Sequence, residues 1–389
     1  MSGSTQNQAQ PSPSPSAIVR TDDESSVVAR LKQKIRTDGP ITVASFMDIA
    51  LSDPDGGYYA TRDPLGVAGD FTTAPEISQI FGELVGLWCV DTWQSMGAPN
   101  AFAVVELGPG RGTLMADALR AMRAMRQVST CHAAASVHLV ETSPVLRESQ
   151  QRMLAGENIT WHTSLPDLGR MPAIYIANEF FDALPIHQYV KLDGDWCERV
   201  VALDPTHEHF SFTLDQNRTF PLRDVTKLLA DAEDGTIFEY SPTVRSSIDD
   251  IARLLFLHGG AGLIIDYGYT RHATGQTLQA VRKHRPVDPL DDPGNCDLTA
   301  HVNFQLLSET ATSAGIKVWG PIDQGNFLQK LGIQTRAATL LKTATVSQAH
   351  DIRTAVTRLI APAEMGALFK VMALSDSGVS HLAGFEPDA

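Results

Sequence analysis

The chain has 389 residues, of which 43% are hydrophobic and 20% are charged, and this balance is ordinary for a globular protein. A formal net charge of −14 at pH 7 argues against a nucleic-acid-binding protein, because a phosphate backbone requires clustered Lys and Arg. No apolar run approaches the roughly 20 residues that cross a bilayer, so we expect no membrane span.

The first 25 residues are rich in Ser, Gln and Pro, and we expect them to form a disordered tail. Their composition fits neither a secretory signal nor an Arg-rich transit peptide, which favours a cytoplasmic protein of bacterial type. The 4 cysteines are widely spaced and contain no C-x-x-C pair. This spacing favours a reducing compartment and predicts no metal site.

An N-terminal helical region is expected from residue 26 to about residue 98. Apolar residues at helical spacing predict helices over about 26–36 and 43–51. A glycine-containing loop over 58–73 is long for a connection, which favours a functional role. Pro75 then stands at the first position of a strong helix that continues past Trp88.

A strand–helix alternation typical of a doubly wound α/β sheet begins at Phe102. We expect an α/β fold of parallel strands with a closing antiparallel strand, in a core over 99–389. Insertions are expected at about 188–225, which contains a β-hairpin, and at about 270–300 and 323–362. Helical segments are expected within the last insertion, near 326–331 and 338–359. The predicted strands are Phe102–Leu107, Val137–Glu141, Ile159–His162, Ala173–Asn178, Gly262–Asp266, Ile316–Trp319 and Phe369–Leu374.

The run from Glu106 to Gly112 reads E-L-G-P-G-R-G and follows the first predicted strand. Its alternating glycines let the backbone approach a ligand without Cβ clashes. The dinucleotide fingerprint G-x-G-x-x-G would need a glycine or alanine where Thr113 stands. The run instead resembles the E/D-x-G-x-G-x-G motif of class I S-adenosylmethionine (SAM) methyltransferases; the alternative is a tight turn without a ligand. The candidate cofactor contacts are Glu106, Gly108, Pro109, Gly110 and Gly112.

Three further cofactor contacts are expected at the ends of the next two strands. Glu141 ends the second predicted strand, where a carboxylate can accept both ribose hydroxyls. The alternative is a solvent-facing acid at the start of a helix. Ser164 and Leu165 follow the third strand, where adenine contacts are usual in this fold, although only their position indicates this.

The run Asn178-Glu179-Phe180-Phe181-Asp182 follows the fourth predicted strand directly. Carboxylates can orient a guanidinium bidentately, and aromatic rings can stack on it and exclude water. We therefore expect Asn178, Glu179 and Asp182 to form the catalytic end of the site, with Asn178 also near the cofactor. The alternative is helix capping by Asn178 or Asp182, with both phenylalanines in the core.

Other polar segments have mostly structural interpretations when the residues are taken alone. The stretch from Gly69 to Glu76 fits a helix-capping motif at a helix N-terminus. Asp266 and Tyr267 end the fifth strand and could line the same cleft. His301 could act as a general base, but a lone histidine is more often a hydrogen-bonded structural residue.

Several ordered segments together resemble the MidA-type SAM-dependent methyltransferases, the family of the mitochondrial complex I assembly methyltransferase. The likeness covers nearly everything from about residue 26 onward. The segments that carry it are Gly69–Glu83, Glu106–Arg120, Glu141–Gln150, Asn178–Gln188, Leu263–Tyr269, Asp297–Phe304, Asn326–Ile333 and Pro362–Val371.

The resemblance implies a class I methyltransferase fold and arginine Nω-methylation of a protein partner. In the mitochondrial branch it implies symmetric dimethylation of a respiratory complex I subunit. It also implies that Gly108, Gly110 and Glu141 hold SAM and that the run 178–182 faces the acceptor. A loop formed by Gly69, Asp70, Phe71 and Thr72 would cover the cofactor.

Two positions depart from the family pattern and bear on the acceptor rather than on the cofactor. Asn303 stands where an acid is expected, and Asp323 where a threonine is expected. Two alternatives to a protein methyltransferase remain open at this point. One is a SAM-binding assembly chaperone with little turnover, and the other is a methyltransferase that acts on a small molecule.

Overall fold

The computed structural model describes residues 26–63, 66, 72–124, 129–206, 208–215 and 229–386. The expected N-terminal tail lies outside these residues, as do Gly69, Asp70 and Phe71 of the proposed covering loop. Among the helices in the described ranges, none is both long and apolar enough to cross a membrane.

Helices and strands alternate along most of the described chain. The α-helices are α1 (Ser26–Asp38), α2 (Val43–Ser52), α3 (Tyr58–Thr61), α4 (Ala74–Ile77), α5 (Gln79–Ser95), α6 (Thr113–Ala124), α7 (Ser129–Ala134), α8 (Pro144–Met153), α9 (Pro242–His258), α10 (Phe304–Ser313), α11 (Gln324–Lys330), α12 (Ile333–Leu341) and α13 (Val346–Ile360), and a π-helical turn covers Pro362–Gly366. The strands are β1 (Ile41–Thr42), β2 (Phe102–Leu107), β3 (Ala135–Val140), β4 (Ile159–His162), β5 (Ala173–Asn178), β6 (His187–Leu192), β7 (Asp195–Leu203), β8 (Phe210–Asp215), β9 (Ile237–Tyr240), β10 (Gly260–Tyr269), β11 (Gln279–Arg282), β12 (Arg285–Val287), β13 (Asp297–Thr299), β14 (Val302–Asn303), β15 (Lys317–Asp323) and β16 (Phe369–Ser375).

The central sheet has the strand order β15-β16-β10-β5-β2-β3-β4, with β14 extending it beside β10. β2 pairs in parallel with β3 and β5, and β10 pairs in parallel with β5 and antiparallel with β16. Every residue of β2 and β5 is buried, which explains their nearly continuous apolar sequences. The expected α/β fold with parallel strands and one antiparallel strand is therefore confirmed.

Helices cover both faces of this sheet. On one face, α5, α6 and the C-terminal helices α11 to α13 share a hydrophobic core with the strands. On the other face, α9 and α10 pack against the same strands. The strand order reverses between β2 and β5, and ligands of such sheets bind at the carboxyl ends of the strands beside this point.

Local sequence signals explain where several helices begin and end. The Ser143 and Ser241 side chains cap α8 and α9, and a proline follows each cap at the first helical position. α9 ends at Gly259, whose φ of 79° is easily adopted only by glycine. These caps place the ends of β3 and β9 next to the helices that follow them.

The N-terminal helices and two insertions form a second layer next to the central sheet. α1, α2 and α3 share a hydrophobic cluster with strands β7, β8, β11 and β13. β7 also pairs with β1, β6 and β8, and β11 pairs with β12 and β13. Helix α5, by contrast, packs with the central sheet, so residues 26–98 contribute to two separate cores.

Two predicted helices are divided in the structure. The helix expected from Pro75 onward stops at Ile77, because Ser78 is extended and its side chain caps α5 instead. The late helical stretch is split into α12 and α13, since Thr345 and Gln348 form a capping box that starts the second helix. The described part of the insertion expected at 188–225 contains the predicted hairpin as β7 and β8, and β6 pairs with β7 on its other side.

Candidate functional site

A cleft of about 490 Å³ opens at the carboxyl ends of the parallel strands. Strands β2, β5 and β10 contribute side chains to its floor. α2, α3 and β11 line one side, and α4 and the end of α13 line another. The cleft therefore joins the central sheet to the N-terminal helices and to the late helical segment, which lie far apart in sequence.

The loop between β2 and α6 forms one wall of the cleft. Gly108, Gly110 and Gly112 have φ values of 60°, 54° and 86°, in the left-handed region that favours glycine. A Cβ atom on Gly108 would lie 2.9 Å from Cδ2 of Phe180. This close approach explains the glycine at 108, and Gly108, Pro109 and Gly110 all line the cleft.

Glu106 is a buried carboxyl group at the end of β2 that also lines the cleft. Its Oε2 atom makes no hydrogen bond to any described residue. Burial, followed by the nearby Glu141 carboxylate, raises the pKa of Glu106 to about 8. A buried oxygen without a donor next to a cleft is suited to a ligand that brings an N–H or O–H group.

Glu141 lies directly after β3 and is held by two donors. The Ser143 amide donates to its Oε1 at 2.7 Å, and Gln150 Nε2 donates to its Oε2 at 3.0 Å. Burial raises the pKa of Glu141, although these hydrogen bonds oppose the rise. Because the carboxylate is fixed and borders the cleft, it can accept further hydrogen bonds from ribose hydroxyls there.

Gln150 connects Glu141 to the glycine loop, and we did not predict this role. Gln150 is fully buried and also donates from Nε2 to the Gly110 carbonyl at 2.7 Å. Trp161 Nε1 donates to the Gln150 Oε1 at 2.9 Å. A signal was present in the sequence, because Gln150 lies four residues after Leu146 on the apolar face of α8.

Three carboxyl groups cluster beyond the end of β5. Asp266 is fully buried and accepts from the backbone amides of Phe181 and Asp182 at 3.0 and 3.2 Å. Glu179 has a φ of 51° and accepts from the Ala74 amide at 3.1 Å. The strained backbone at Glu179 and the amides on Asp266 together turn the segment so that Glu179 and Asp182 face the cleft.

The pKa values of all three carboxyl groups are raised above their usual range. Burial, then the neighbouring Asp182, raises the pKa of Glu179 to about 7. Burial raises the pKa of Asp182 to about 6, and it also raises the pKa of Asp266 well above its usual range. Asp182 Oδ1 and the adjacent Asn178 Oδ1 make no hydrogen bond within the described residues. A positively charged hydrogen-bond donor in the cleft could bond to these two oxygens.

The two phenylalanines of the run separate into different roles. Phe180 borders the cleft against Gly108, whereas Phe181 is 2% exposed in the core beneath it.

Ser164 is exposed, and neither it nor Leu165 lines the cleft, so the structure does not bring these two predicted contacts to the others. Thr72 does line the cleft.

Several cleft residues were not singled out from the sequence as site residues. Arg111 pairs with Asp63 at 2.7 Å and with Glu76 at 3.4 Å. The Tyr59 hydroxyl donates to Asp297 Oδ1 at 2.8 Å, and burial followed by this carboxylate raises the pKa of Tyr59 well above its usual range.

Tyr267 and His301 were candidate cleft residues in the sequence analysis. Both line the cleft, and their rings pack edge to face. The two positions that depart from the family pattern lie elsewhere. Asn303 caps α10, and Asp323 pairs with Lys370 at 2.8 Å.

Comparisons with known proteins identify a family. The sequence pattern of a family described as "putative S-adenosyl-L-methionine-dependent methyltransferase" matches residues 84–322. A Drosophila melanogaster protein named protein arginine methyltransferase NDUFAF7 homolog, mitochondrial, is 37% identical, and the match covers 90% of this chain and 84% of that protein. The human protein arginine methyltransferase NDUFAF7, mitochondrial, is 36% identical over 90% of this chain and 83% of its own length.

A solved structure is also similar over nearly the whole chain. A Burkholderia thailandensis protein, crystallised with S-adenosyl-homocysteine, superposes with a TM-score of 0.79 at 29% identity, covering 97% of each chain. The cleft described above has the groups that such a ligand needs. They are a glycine loop, a fixed carboxylate at Glu141 and unpartnered buried oxygens on Glu106 and Asn178.

Proposed function

The chain belongs to the S-adenosylmethionine-dependent methyltransferases, and on that premise we propose that it methylates an arginine side chain of a partner protein. The observation that carries the proposal is the pair of cleft carboxyl groups, the half-buried Glu179 and the buried Asp182, whose pKa values are raised to about 7 and about 6. The names of the Drosophila and human relatives, which are protein arginine methyltransferases, support the same acceptor.

The cofactor is S-adenosylmethionine, which supplies an activated methyl group on a sulfonium when it is bound. We propose that Glu141 accepts hydrogen bonds from the ribose hydroxyls. The loop from Gly108 to Gly112 would lie against the cofactor, and Glu106 and the Asn178 Oδ1 would accept its remaining donors. Thr72 would border the cofactor from the α4 side.

At the acceptor end, Glu179 and Asp182 would hold the guanidinium of the substrate. A guanidinium offers planar donors that match two carboxylates, so the attacking nitrogen would be held in a fixed direction. Burial has raised both pKa values, so either carboxylate is able to take up the proton that the arginine loses on methylation. Phe180 would cover one side of the reacting groups and exclude water.

The resulting mechanism is a direct displacement that depends on positioning and electrostatics. When it is bound, the cofactor would supply its methyl group to an arginine nitrogen that Glu179 and Asp182 hold in place, and one of these carboxylates would take up the proton that the nitrogen loses. Among the described residues, no group of His, Cys, Asp and Glu side chains could hold a metal ion.

The partner and the compartment are part of the proposal. We propose a protein partner that bears an accessible arginine, with a respiratory-chain subunit as the first candidate, since NDUFAF7 relatives are named mitochondrial. The 4 cysteines of the chain are all buried thiols, which fits a reducing compartment such as the cytoplasm. Symmetric dimethylation is the expected product.

The first test replaces the acceptor carboxyl groups. We expect Glu179→Gln and Asp182→Asn to lower methyl transfer at least about 100-fold while changing SAM affinity little, because each removes an acceptor contact or a proton acceptor. Purified protein and methyl-labelled SAM are added to a lysate of cells that lack the protein, and labelled proteins are identified by mass spectrometry.

Asp249→Asn is a suitable control, because Asp249 is exposed on α9 and far from the cleft lining. Wild-type transfer rates in both cleft variants would disprove the acceptor assignment. Label on a small molecule instead of a protein would favour the small-molecule alternative. Tight SAM binding without any labelled product would favour a chaperone.

A further inference from the structure

The charge of the cleft is strongly one-sided. Six carboxyl side chains line its described part, and two guanidinium groups, Arg111 and Arg358, line it as well. Acidic walls suit the ammonium and the sulfonium of SAM, but the cofactor also carries a carboxylate. A carboxylate placed among acidic side chains without a cation is costly, so a cation that lines the cleft is a favourable partner for it.

Arg111 is already committed to other partners. Its Nε donates to both oxygens of Asp63 at 2.9 and 2.7 Å, and its Nη1 lies 3.4 Å from Glu76 Oε2. Two carboxylates therefore surround this one guanidinium. Its positive charge is already balanced by the protein itself.

Arg358 is differently placed. It lies in the last turn of α13, is exposed, and makes no ion pair with any residue in the described ranges. α13 packs against α4, the helix whose first amide, that of Ala74, donates to Glu179. The field of Arg358 acts on Glu179 and opposes the rise in its pKa. The guanidinium thus stands at the mouth of the cleft, beside Glu179.

We propose that Arg358 binds the carboxylate of the methionine portion of the cofactor. Arg358 lies on α13, which packs against α4 and against the π-helical turn that leads into β16. Glu141, the proposed ribose acceptor, follows β3, and β3 and β16 lie on opposite sides of β2 and β5 in the sheet. A cofactor that spans the cleft from Glu141 would place its amino-acid end at this guanidinium. Arg358 then completes an otherwise acidic site and orients the sulfonium by holding one end of the molecule.

The test compares two ligands that differ by one group. S-adenosyl-homocysteine carries the carboxylate, and its decarboxylated analogue keeps the amine and lacks only the carboxylate. Calorimetry with the full-length protein should show that Arg358→Gln weakens S-adenosyl-homocysteine about tenfold and leaves the affinity for the decarboxylated analogue unchanged. Arg358→Lys should lose less, because the charge remains and only the bidentate geometry is lost.

Arg353 provides the matched control. It is an exposed arginine on the same helix, its Nη1 lies 3.3 Å from the Ala349 carbonyl, and it does not line the cleft. Arg353→Gln should leave the affinities for both ligands at wild-type values. Unchanged binding of the decarboxylated analogue in Arg358→Gln also shows that the variant is folded.

Three outcomes would overturn the proposal. Equal weakening of both ligands would mean that Arg358 supports the fold of the cleft, for example by interacting with the C-terminal dipole of α13. Unchanged binding of both ligands would exclude a cofactor contact. If Arg358→Gln leaves the binding of both ligands unchanged but raises the KM for the protein substrate, Arg358 contacts the acceptor protein instead of the cofactor. The cofactor contact is independent of whether the acceptor is an arginine.

Discussion

Glu106 is the carboxyl group most affected by burial at the cofactor end of the cleft. It is 2% exposed, one of its oxygens has no partner among the described residues, and its pKa is raised to about 8. Such a group costs stability in the free protein, and it offers a ready acceptor to a bound ligand. We infer that the residue is retained for binding rather than for folding.

This inference gives a prediction for Glu106→Gln. The folded protein holds the carboxyl proton more tightly than the unfolded chain, whose pKa is about 4.5. Stability of the wild type therefore falls as pH rises from about 4.5 to about 8, and the glutamine variant lacks this loss. We expect the ligand-free variant to be more stable than the wild type by roughly 4 kcal/mol at pH 8 and equally stable near pH 4.

Urea unfolding at both pH values measures this difference, with the exposed Glu148→Gln as the control. Addition of S-adenosyl-homocysteine should raise the Tm of the wild type more than that of Glu106→Gln. A variant that is less stable than the wild type at pH 8 would contradict the explanation. The buried carboxylate would then be making a favourable contact in the free protein.

At the scale of elements, helix α8 organises the cofactor end of the cleft. Its cap, Ser143, and its buried residue Gln150 both donate to Glu141, and Gln150 also holds the glycine loop at Gly110. One helix thus fixes a carboxylate after β3 and a loop after β2. This coupling is the reason that the two motifs can act on one ligand.

We expect Gln150→Leu to weaken S-adenosyl-homocysteine binding about tenfold or more. The leucine fills a similar volume but removes both donated hydrogen bonds and the acceptor of Trp161, so the loop and Glu141 lose their common support. Unfolding should also become easier by about 1–3 kcal/mol, because buried polar atoms are left unpaired.

Calorimetry and urea unfolding check these two effects. Gln151→Leu is the matched control, since Gln151 is the neighbouring residue on α8 and is exposed. If Gln150→Leu loses stability but keeps full ligand affinity, the hydrogen bonds of Gln150 serve the fold alone.

At the scale of the whole molecule, ion pairs around the buried Glu83 carboxylate tie the late helices to the central core. Glu83 of α5 pairs with Arg120 of α6, and Arg336 of α12 donates to it from Nε at 2.7 Å and from Nη2 at 3.0 Å. Burial alone would raise the pKa of Glu83, but the hydrogen bonds from Arg336 and Arg120 outweigh it and lower the pKa.

Glu83→Gln should therefore destabilise the protein by about 1–3 kcal/mol at pH 7, since two guanidinium groups lose their shared carboxylate. The contribution of Glu83 is present above its unfolded pKa of about 4.5 and is lost as pH falls through the folded pKa. The difference between variant and wild type should consequently shrink as the pH is lowered below 4.5.

Thermal unfolding at several pH values measures this trend. Asp38→Asn, which breaks the exposed pair between Lys34 and Asp38, is the control and should cost at most about 0.5 kcal/mol at pH 7. If the stability difference between Glu83→Gln and the wild type grows as the pH is lowered, the ion pairs of Glu83 do not hold α12 in place.

Much of the fold was predictable because its signals are local. Apolar runs ending in a polar residue and alternating glycines each act over a few residues, and they located β2, β3 and β5 to within two residues. The division at Ser78 was missed, because an N-cap inside an apolar stripe leaves the helical periodicity unchanged on both sides. The splitting of the late helix at Thr345 has the same cause.

The sequence by itself determined the class of fold, the cofactor loop and the run of acids after β5, because the carboxyl ends of neighbouring parallel strands always meet at one edge of the sheet. Only the tertiary structure decided which distant residues complete the cleft. Tyr59, Asp297 and Arg358 reach it from α3, β13 and α13, through packing between elements that share no local pattern. Such contacts depend on how whole layers pack, and residue spacing does not encode them.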